Sequence, residues 1–193
     1  MKTTVKLIAL VSLPLILAFT TLKTRAKLSN IPNLQPKPVN LLVELPEFEP
    51  IEIITKTQND FLDALGHRES GNRYDVINKF GYLGKYQFGK ATLKGLGYNV
   101  SPEEFINNPS LQEEAMIKLL QHNKKKLNKL ITKYDGKTVH GVLVTESGIL
   151  AAAHLAGQGN VKKFLRRGKD FQDGFGTKMT SYILQFNNYS LNL

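Results

Sequence analysis

One acidic residue, Glu69, stands where a carboxyl group could transfer a proton. It follows Leu62 by seven residues and Leu65 by four, so the helical period places its carboxyl group on the apolar face of a predicted first helix. Gly71 marks the end of that helix, so Glu69 lies in the last turn, where desolvation and the helix dipole both favour a protonated carboxyl group. Such a glutamate is a candidate general acid. By position alone, a glutamate that extends into solvent from a frayed helix end is an equal alternative.

The segments that must position Glu69 have mainly helical patterns. A nearly all-apolar run over residues 147–156 predicts a buried central helix that ends at Gly157. Capping boxes at residues 101–104 and 110–113 mark two further helix starts, and a long helix follows the second. Apolar spacing of i, i+3, i+4 and i+7 predicts a last helix that carries Met179, Tyr182, Ile183 and Phe186. Between residues 72 and 89, three glycines lie among aromatic residues, which predicts a loop or short hairpin inserted after the first helix.

Three short motifs occur in an order that resembles one enzyme family. Residues 67–72 read His-Arg-Glu-Ser-Gly-Asn, residues 84–89 read Gly-Lys-Tyr-Gln-Phe-Gly, and residues 153–159 read Ala-His-Leu-Ala-Gly-Gln-Gly. They resemble the Glu-Ser motif, the Gly-x-x-Gln motif and the Ala-Tyr-Asn-Ala-Gly-Pro-Gly helix end of the soluble lytic transglycosylases. Tyr182 also stands where that family carries an active-site tyrosine on its last helix. The resemblance covers most of residues 58–189.

The resemblance implies a mainly α, lysozyme-like domain that cleaves the glycan strands of peptidoglycan. Cleavage in that family is non-hydrolytic and leaves 1,6-anhydro-muramic ends. By residue match, Glu69 would be the catalytic acid and then the base. Ser70 and Gln87 would help to shape the floor of the cleft, and Tyr182 would orient Glu69 or the sugar.

The third motif departs from the family pattern. His154-Leu155 replaces the Tyr-Asn pair and Gln158 replaces the proline, which puts the polar contacts of that helix end in doubt. His154 is interpreted either as a residue that takes over a substrate hydrogen bond or as a satisfied histidine of the core. Its position on an apolar helix favours the core interpretation slightly.

Aromatic residues of the insertion could contact a saccharide, because sugar rings stack their C–H faces on aromatic rings. Tyr82 and Tyr86 are the candidates, and one or both are expected to line the cleft beside Glu69. Phe80 and Phe88 are expected to be buried, as most aromatic residues of a core are.

Two other functions fit the same motifs. A hydrolytic lysozyme needs a second carboxyl group, roughly 5 to 9.5 Å from the first, and Asp75 is the obvious candidate near Glu69. An inactive peptidoglycan-binding module is the other, since the departure at His154-Leu155 is compatible with loss of activity. Glu69, which a binding module would not need, favours the enzyme.

A second Glu-Ser-Gly triplet occurs at residues 146–148. It precedes the predicted central helix, and the helix dipole stabilises a charged carboxylate at that end. Glu146 is therefore predicted to be a helix-start residue and not an acid catalyst.

The first 57 residues differ in composition from the rest of the chain. Residues 1–26 carry two lysines ahead of an apolar stretch that contains Pro14, which predicts an export signal or, if uncleaved, a membrane anchor. Residues 27–57 hold five of the eight prolines and are predicted to be a tether. Residues 58–193 are the predicted catalytic domain, and the protein is expected in the periplasm or cell envelope.

The net charge of +10 and the pI near 9.7 indicate a preference for anionic partners. A row of lysines on the long helix, formed by Lys125, Lys129 and Lys133, is predicted to be a solvated face. In an exported protein, anionic envelope polymers are expected partners and nucleic acid is not. The absence of cysteine excludes disulfides and thiolate sites, and the four histidines lack the spacing of a zinc motif. We expect no metal, no cofactor and a monomer.

Overall fold

The structure is a computed structural model that describes residues 56–193. Within that range the chain folds into six helices and one antiparallel hairpin, which confirms the mainly helical prediction. In chain order, the elements are α1 Gln58–Ser70, α2 Lys90–Gly95, α3 Pro102–Ile106, α4 Pro109–Tyr134, β1 Lys137–Val139, β2 Val142–Val144, α5 Glu146–Arg167 and α6 Met179–Gln185. The predicted signal or anchor, residues 1–26, and the predicted tether as far as residue 55 lie outside the described residues. No helix in residues 56–193 is both long and apolar enough to cross a membrane.

Helix α1 begins and ends at residues suited to those positions. The Thr57 side chain accepts a hydrogen bond from the backbone N–H of Asp60, and the Asp60 carboxylate accepts one from the backbone N–H of Thr57. These two bonds form a capping box, which satisfies backbone donors that the helix leaves free. Gly71 ends the helix in the predicted left-handed conformation, with a φ of 67°. The helix therefore carries Glu69 in its last turn, as predicted.

Helices α3 and α4 begin near the two predicted capping boxes. Ser101 caps α3 as predicted, by accepting a hydrogen bond from the backbone N–H of Glu104, but the return bond that would complete the capping box is not formed. Helix α4 begins earlier than predicted, because Asn108 caps it and Pro109 occupies its first position. The prediction that Ser110 caps α4 is therefore wrong. Its supposed capping partner, Glu113, instead turns toward the insertion.

Helix α5 forms the buried centre of the domain. Thr145 caps it and Glu146 is its first residue, as predicted. Gly157, with a φ of 74° and a ψ of 157°, is non-helical and ends the first helix of this element, as predicted; a second helix follows directly and continues to Arg167. The second half re-forms a helix because it has an apolar face of its own to bury. That face consists of Val161, Phe164 and Leu165.

Helix α6, predicted from its apolar spacing, lies against the start of α5. A Cβ atom on Gly148 would lie 2.6 Å from the backbone carbonyl oxygen of Ile183, so the glycine of the second Glu-Ser-Gly triplet permits this close approach. Beyond α6, Tyr189 pairs with Lys56, and the backbone N–H of Ser190 donates to the Lys56 carbonyl at 2.8 Å. Lys56, which falls in the predicted tether, thus joins the end of the chain to the start of α1.

A short hairpin that was not predicted from the sequence joins α4 to α5. Its strands β1 and β2 contain three residues each, too few for an alternating pattern to be visible in the sequence. His140 and Gly141 form the connecting turn, with φ values of 50° and 80°. Positive φ at both positions is typical of a two-residue hairpin turn.

Residues 71–89 form an irregular insertion after α1, as predicted. Its backbone makes isolated bridges at Leu83 without a continuous strand. Gly66 of α1 makes room for this segment, because a Cβ atom there would lie 2.4 Å from Cε of Lys85. The insertion therefore packs directly on the end of α1.

Candidate active site

Glu69 and Tyr182 form the centre of the candidate site. The Tyr182 hydroxyl donates a hydrogen bond of 2.7 Å to Oε1 of Glu69. The Glu69 side chain is only 13% exposed. Burial raises the pKa of the Tyr182 hydroxyl above its usual range, and the negative charge of Glu69 adds to this effect. Tyr182 therefore stays protonated near neutral pH and can always donate to Glu69.

Arg68 adds a positive charge beside this pair. Its guanidinium carbon lies 4.0 Å from the centroid of the Tyr182 ring, and its Nη2 donates to Oγ of Ser181 at 2.9 Å. Through these two contacts the guanidinium group of Arg68, on α1, is fixed against α6. Arg68 was not predicted as a site residue, although it directly precedes Glu69 in the first motif.

His154 approaches the same carboxylate oxygen from α5. Its Nε2 lies 3.6 Å from Oε1 of Glu69, and its side chain is 6% exposed. The imidazole ring meets Phe88 edge-on at a centroid distance of 6.0 Å. Its Nδ1 is buried and has no hydrogen-bond partner within residues 56–193. His154 is therefore a neighbour of Glu69, and it does not occupy the satisfied core position favoured from the sequence.

A cavity of about 570 Å³, here called the Glu69 cavity, is lined by Glu69, His154 and Tyr182. Its volume lies in the range of small-molecule sites, roughly 300 to 1,000 Å³. Tyr82 and Gln87 also line it. Two further cavities of about 370 and 330 Å³ share lining residues with it, and Gln87 lines all three. The three cavities therefore adjoin one another around Gln87 and together are called the depression.

Ser70 and Gln87 shape the walls of this depression. Oγ of Ser70 donates to the backbone carbonyl of Lys85 at 2.8 Å and accepts from the backbone N–H of Arg73 at 3.0 Å. These bonds fasten the insertion to α1. Gln87 has a positive φ of 50°, and its Nε2 donates to the Gly84 carbonyl at 2.9 Å. Both residues thus hold the insertion in the shape that forms the cavity.

The aromatic residues of the insertion are distributed differently from the prediction. Tyr82 is 45% exposed and lines two of the cavities, and Phe88 is buried, both as expected. Tyr86 is fully buried, so the prediction that it contacts a saccharide is wrong. Its hydroxyl donates a 2.6 Å hydrogen bond to Glu113, a partner that no local pattern reveals. Phe80, predicted to be buried, is instead 53% exposed and lines the Glu69 cavity.

A polar cluster fastens the insertion to α4. Oε1 of Glu113 accepts a 2.7 Å hydrogen bond from Tyr74 and pairs with Nζ of Lys85 at 2.8 Å. Oε2 of Glu113 accepts the hydrogen bond from Tyr86. Burial alone would raise the pKa of Glu113, but these donors together lower it below its usual value. Burial likewise opposes the charge of Lys85, yet its bonds to Glu113 and Tyr74 raise its pKa. The cluster therefore keeps its ion pair at neutral pH.

The second carboxyl group of the Glu69 cavity is Asp173 and not Asp75. Asp75 is exposed and lines neither the Glu69 cavity nor the two that adjoin it. Asp173 lines the Glu69 cavity, and its Oδ1 accepts hydrogen bonds from the backbone N–H groups of Phe175 at 2.9 Å and Thr177 at 2.7 Å. Asp173 was not predicted, because it lies far from Glu69 in the chain. In the described range 56–193, no group of three or more His, Cys, Asp or Glu side chains is arranged to hold a metal ion.

No family model, curated protein or solved structure matches the chain. The site itself combines a shielded carboxyl group, a hydrogen-bond donor to that group and a cavity around it. This combination suits proton transfer to a bound ligand.

Proposed function

We propose that the protein is a lytic transglycosylase with a lysozyme-like domain, which cleaves the glycan strands of peptidoglycan. The observation that carries this proposal is the arrangement of Glu69. Its Oε1 is held by the Tyr182 hydroxyl at 2.7 Å, inside a cavity that two others adjoin. Its second oxygen, Oε2, is then the one that carries the transferable proton.

In the proposed reaction Glu69 acts first as an acid. It gives its proton to the glycosidic oxygen as the bond between that oxygen and the anomeric carbon of the muramic acid breaks. The 6-hydroxyl oxygen of the same sugar then bonds to the anomeric carbon, and the hydroxyl proton returns to Glu69. The reaction consumes no water and leaves a 1,6-anhydro ring, so one carboxyl group is sufficient.

The neighbours of Glu69 have distinct roles in this reaction. Tyr182 keeps the carboxyl group in one orientation through both proton transfers. Arg68, stacked on the Tyr182 ring and bonded to Ser181, holds in place the ring whose hydroxyl orients Glu69. His154 is the second polar group near Oε1, with its Nε2 at 3.6 Å. Tyr82, which is 45% exposed in the cavity wall, offers a ring face to a sugar.

A hydrolytic lysozyme is the second candidate, because Asp173 lines the same cavity as Glu69. In a hydrolase this carboxylate would activate a water molecule or attack the sugar directly. However, two backbone N–H groups already bind Oδ1 of Asp173, which favours a role in shaping its turn. We therefore favour the non-hydrolytic reaction over hydrolysis.

The proposed substrate also indicates where the protein acts. Peptidoglycan lies outside the cytoplasmic membrane, so we propose export to the periplasm or cell envelope through the signal or anchor of residues 1–26. The net charge of +10 favours contact with anionic envelope polymers.

Mass spectrometry of the soluble fragments from purified peptidoglycan tests the proposed reaction. A fragment with a 1,6-anhydro end is lighter than a hydrolysed fragment by one water molecule. We expect anhydro ends without new reducing ends. Reducing ends would identify a lysozyme, and a folded protein that binds peptidoglycan but releases no fragments would be a binding module.

A further inference from the structure

A five-residue turn in the insertion, residues 78–82, contributes to the wall of the Glu69 cavity. Oδ1 of Asn78 accepts hydrogen bonds from the backbone N–H groups of Phe80 at 2.8 Å and of Tyr82 at 3.1 Å. The backbone N–H of Asn78 donates to the Tyr82 carbonyl at 3.0 Å, and that of Gly81 donates to the Asn78 carbonyl at 2.9 Å. These four bonds close the turn on itself and hold Phe80 at its tip.

The loop before α6 contains a second turn with the same hydrogen bonds, residues 173–177. Oδ1 of Asp173 accepts from the backbone N–H groups of Phe175 at 2.9 Å and of Thr177 at 2.7 Å. The backbone N–H of Asp173 donates to the Thr177 carbonyl at 3.0 Å, and that of Gly176 donates to the Asp173 carbonyl at 3.1 Å. Both turns follow the pattern Asn/Asp-x-Phe-Gly-x, and each holds its phenylalanine at the tip.

The two phenylalanine tips meet. The rings of Phe80 and Phe175 lie edge to face, with centroids 4.7 Å apart and an interplanar angle of 74°. Nζ of Lys79 lies 5.1 and 5.0 Å from the two centroids. Phe80 is 53% exposed and Phe175 is 57% exposed, so neither ring belongs to the core. Two exposed apolar rings that contact each other in the lining of a cavity are available to contact a ligand there.

The helices next to these turns meet at a second point, where Tyr182 of α6 donates its hydrogen bond to Glu69 of α1. The chain from Glu69 to Phe80, the ring contact, the chain from Phe175 to Tyr182 and the hydrogen bond make a closed circuit. All four residues line the Glu69 cavity.

We propose that this circuit surrounds the path of the glycan strand, and that Phe80 and Phe175 restrict cleavage to strand ends. A circuit that surrounds the strand would exclude the interior of a long strand, which can enter only from the side, and would admit a free end beneath the ring pair. The apolar rings also suit the C–H faces of the sugar units that pass them. The inference rests on the proposed function, because it names the part of that substrate which reaches Glu69.

The lengths of partly digested strands test the inference. Glycan strands freed of their stem peptides are incubated with the wild type or with the double variant Phe80→Ala/Phe175→Ala, and are sized chromatographically early in the reaction. We expect the wild type to release short fragments while the remaining strands keep nearly their full length. The double variant is expected to cut internally, so that the mean strand length falls severalfold before short fragments accumulate.

The matched control is Leu143→Ala, which removes another exposed apolar side chain, 43% exposed on β2, and should behave as the wild type. Internal cleavage by the wild type, or unchanged end release by the double variant, would overturn the inference and leave the proposed function in place. A wild-type protein that cleaves no strand would overturn the proposed function, and the inference with it.

A chemical cross-link distinguishes threading from opening of the turns. The chain contains no cysteine, so the variant Phe80→Cys/Phe175→Cys can be joined at the two tips alone by a short bis-maleimide. Threading predicts that the cross-linked protein still releases short fragments from strand ends, whereas the same variant before cross-linking cuts internally. Loss of all cleavage on cross-linking would show that the turns must separate, and would overturn the inference.

Discussion

The Tyr182 hydroxyl donates a 2.7 Å hydrogen bond to Oε1 of Glu69 across 113 residues of sequence. The bond joins α6 to the last turn of α1, and it places a neutral donor on a carboxyl group that is largely shielded from water. Because burial and the nearby charge of Glu69 raise the pKa of Tyr182, the donor does not ionise near neutral pH. The proposed chemistry depends first on these two side chains.

Replacing Glu69 by glutamine should abolish cleavage without unfolding the protein. An amide cannot donate and recover the proton, so we expect the rate of turbidity loss of a peptidoglycan suspension to fall by at least about 100-fold. Glu146→Gln is the control, because it makes the same substitution in the second Glu-Ser-Gly triplet. Glu146 lies at the start of α5, where it pairs with Lys124 at 2.8 Å. Full activity of Glu69→Gln would refute the assignment.

Tyr182→Phe removes the hydroxyl and keeps the ring. A hydrogen bond to a charged group contributes roughly 1.5 to 3 kcal/mol, so we expect kcat on soluble glycan strands to fall about 10- to 100-fold. KM should change little, because the ring and the cavity wall remain. An unchanged kcat would show that Tyr182 does not orient Glu69.

Asp173→Asn tests whether the reaction needs a second carboxylate. Asparagine keeps an acceptor oxygen for the N–H groups of Phe175 and Thr177, so the turn is retained while the negative charge is lost. We expect both Asp173→Asn and the exposed Asp75→Asn to remain active and to release anhydro fragments, as mass spectrometry would detect. Loss of activity in Asp173→Asn, together with reducing ends from the wild type, would identify a hydrolase.

Glu113 should make stability depend on pH on the acid side. Hydrogen bonds from three donors hold its pKa below the ordinary 4.5, so its charge stabilises the folded state above that pH. The stabilisation is lost as the pH falls through the lowered, folded-state pKa. We expect Glu113→Gln to reduce the free energy of unfolding by about 1 kcal/mol near neutral pH, a low value for a charged hydrogen bond because solvent screens this 35% exposed side chain.

Urea unfolding at several pH values measures this effect, and the difference between variant and wild type should shrink below pH 4.5. Glu114→Gln is the matched control, because the neighbouring Glu114 is exposed and accepts one hydrogen bond, from Tyr98. Equal losses of stability in the two variants would contradict a special role of the polar cluster.

Gly148→Ala should weaken both the fold and the site. Its new Cβ atom would lie 2.6 Å from the backbone carbonyl oxygen of Ile183, so α6 must move and carry Tyr182 away from Glu69. We expect a loss of about 1 to 3 kcal/mol in the free energy of unfolding, with reduced activity. In the control Gly95→Ala, the added Cβ meets nothing within 4 Å, and a gain of about 0.4 to 1 kcal/mol is expected. Normal stability and activity of Gly148→Ala would contradict the close approach.

Local patterns were sufficient to predict most helices and the position of Glu69. The apolar spacing of α6, the Ser101 cap and the left-handed Gly71 each depend on residues within one or two turns of a helix. Such local interactions do not depend on the conformation of the rest of the chain. Gly157 likewise ends the first helix of α5 as predicted, whereas the second helix beyond it was not predicted, because its buried face is recognisable only once its packing partners are in place.

Only the tertiary structure decided which side chains surround Glu69. Tyr86, predicted to line the cleft, lies in the core because Glu113 on α4 supplies a partner for its hydroxyl. Phe80, predicted to lie in the core, stands at the cavity because the hydrogen bonds of Asn78 close the turn that carries it. In an irregular segment no period relates a position to a direction. The orientation of each side chain is instead set by its contacts within the turn and by partners from distant parts of the chain, which meet only when the chain has folded.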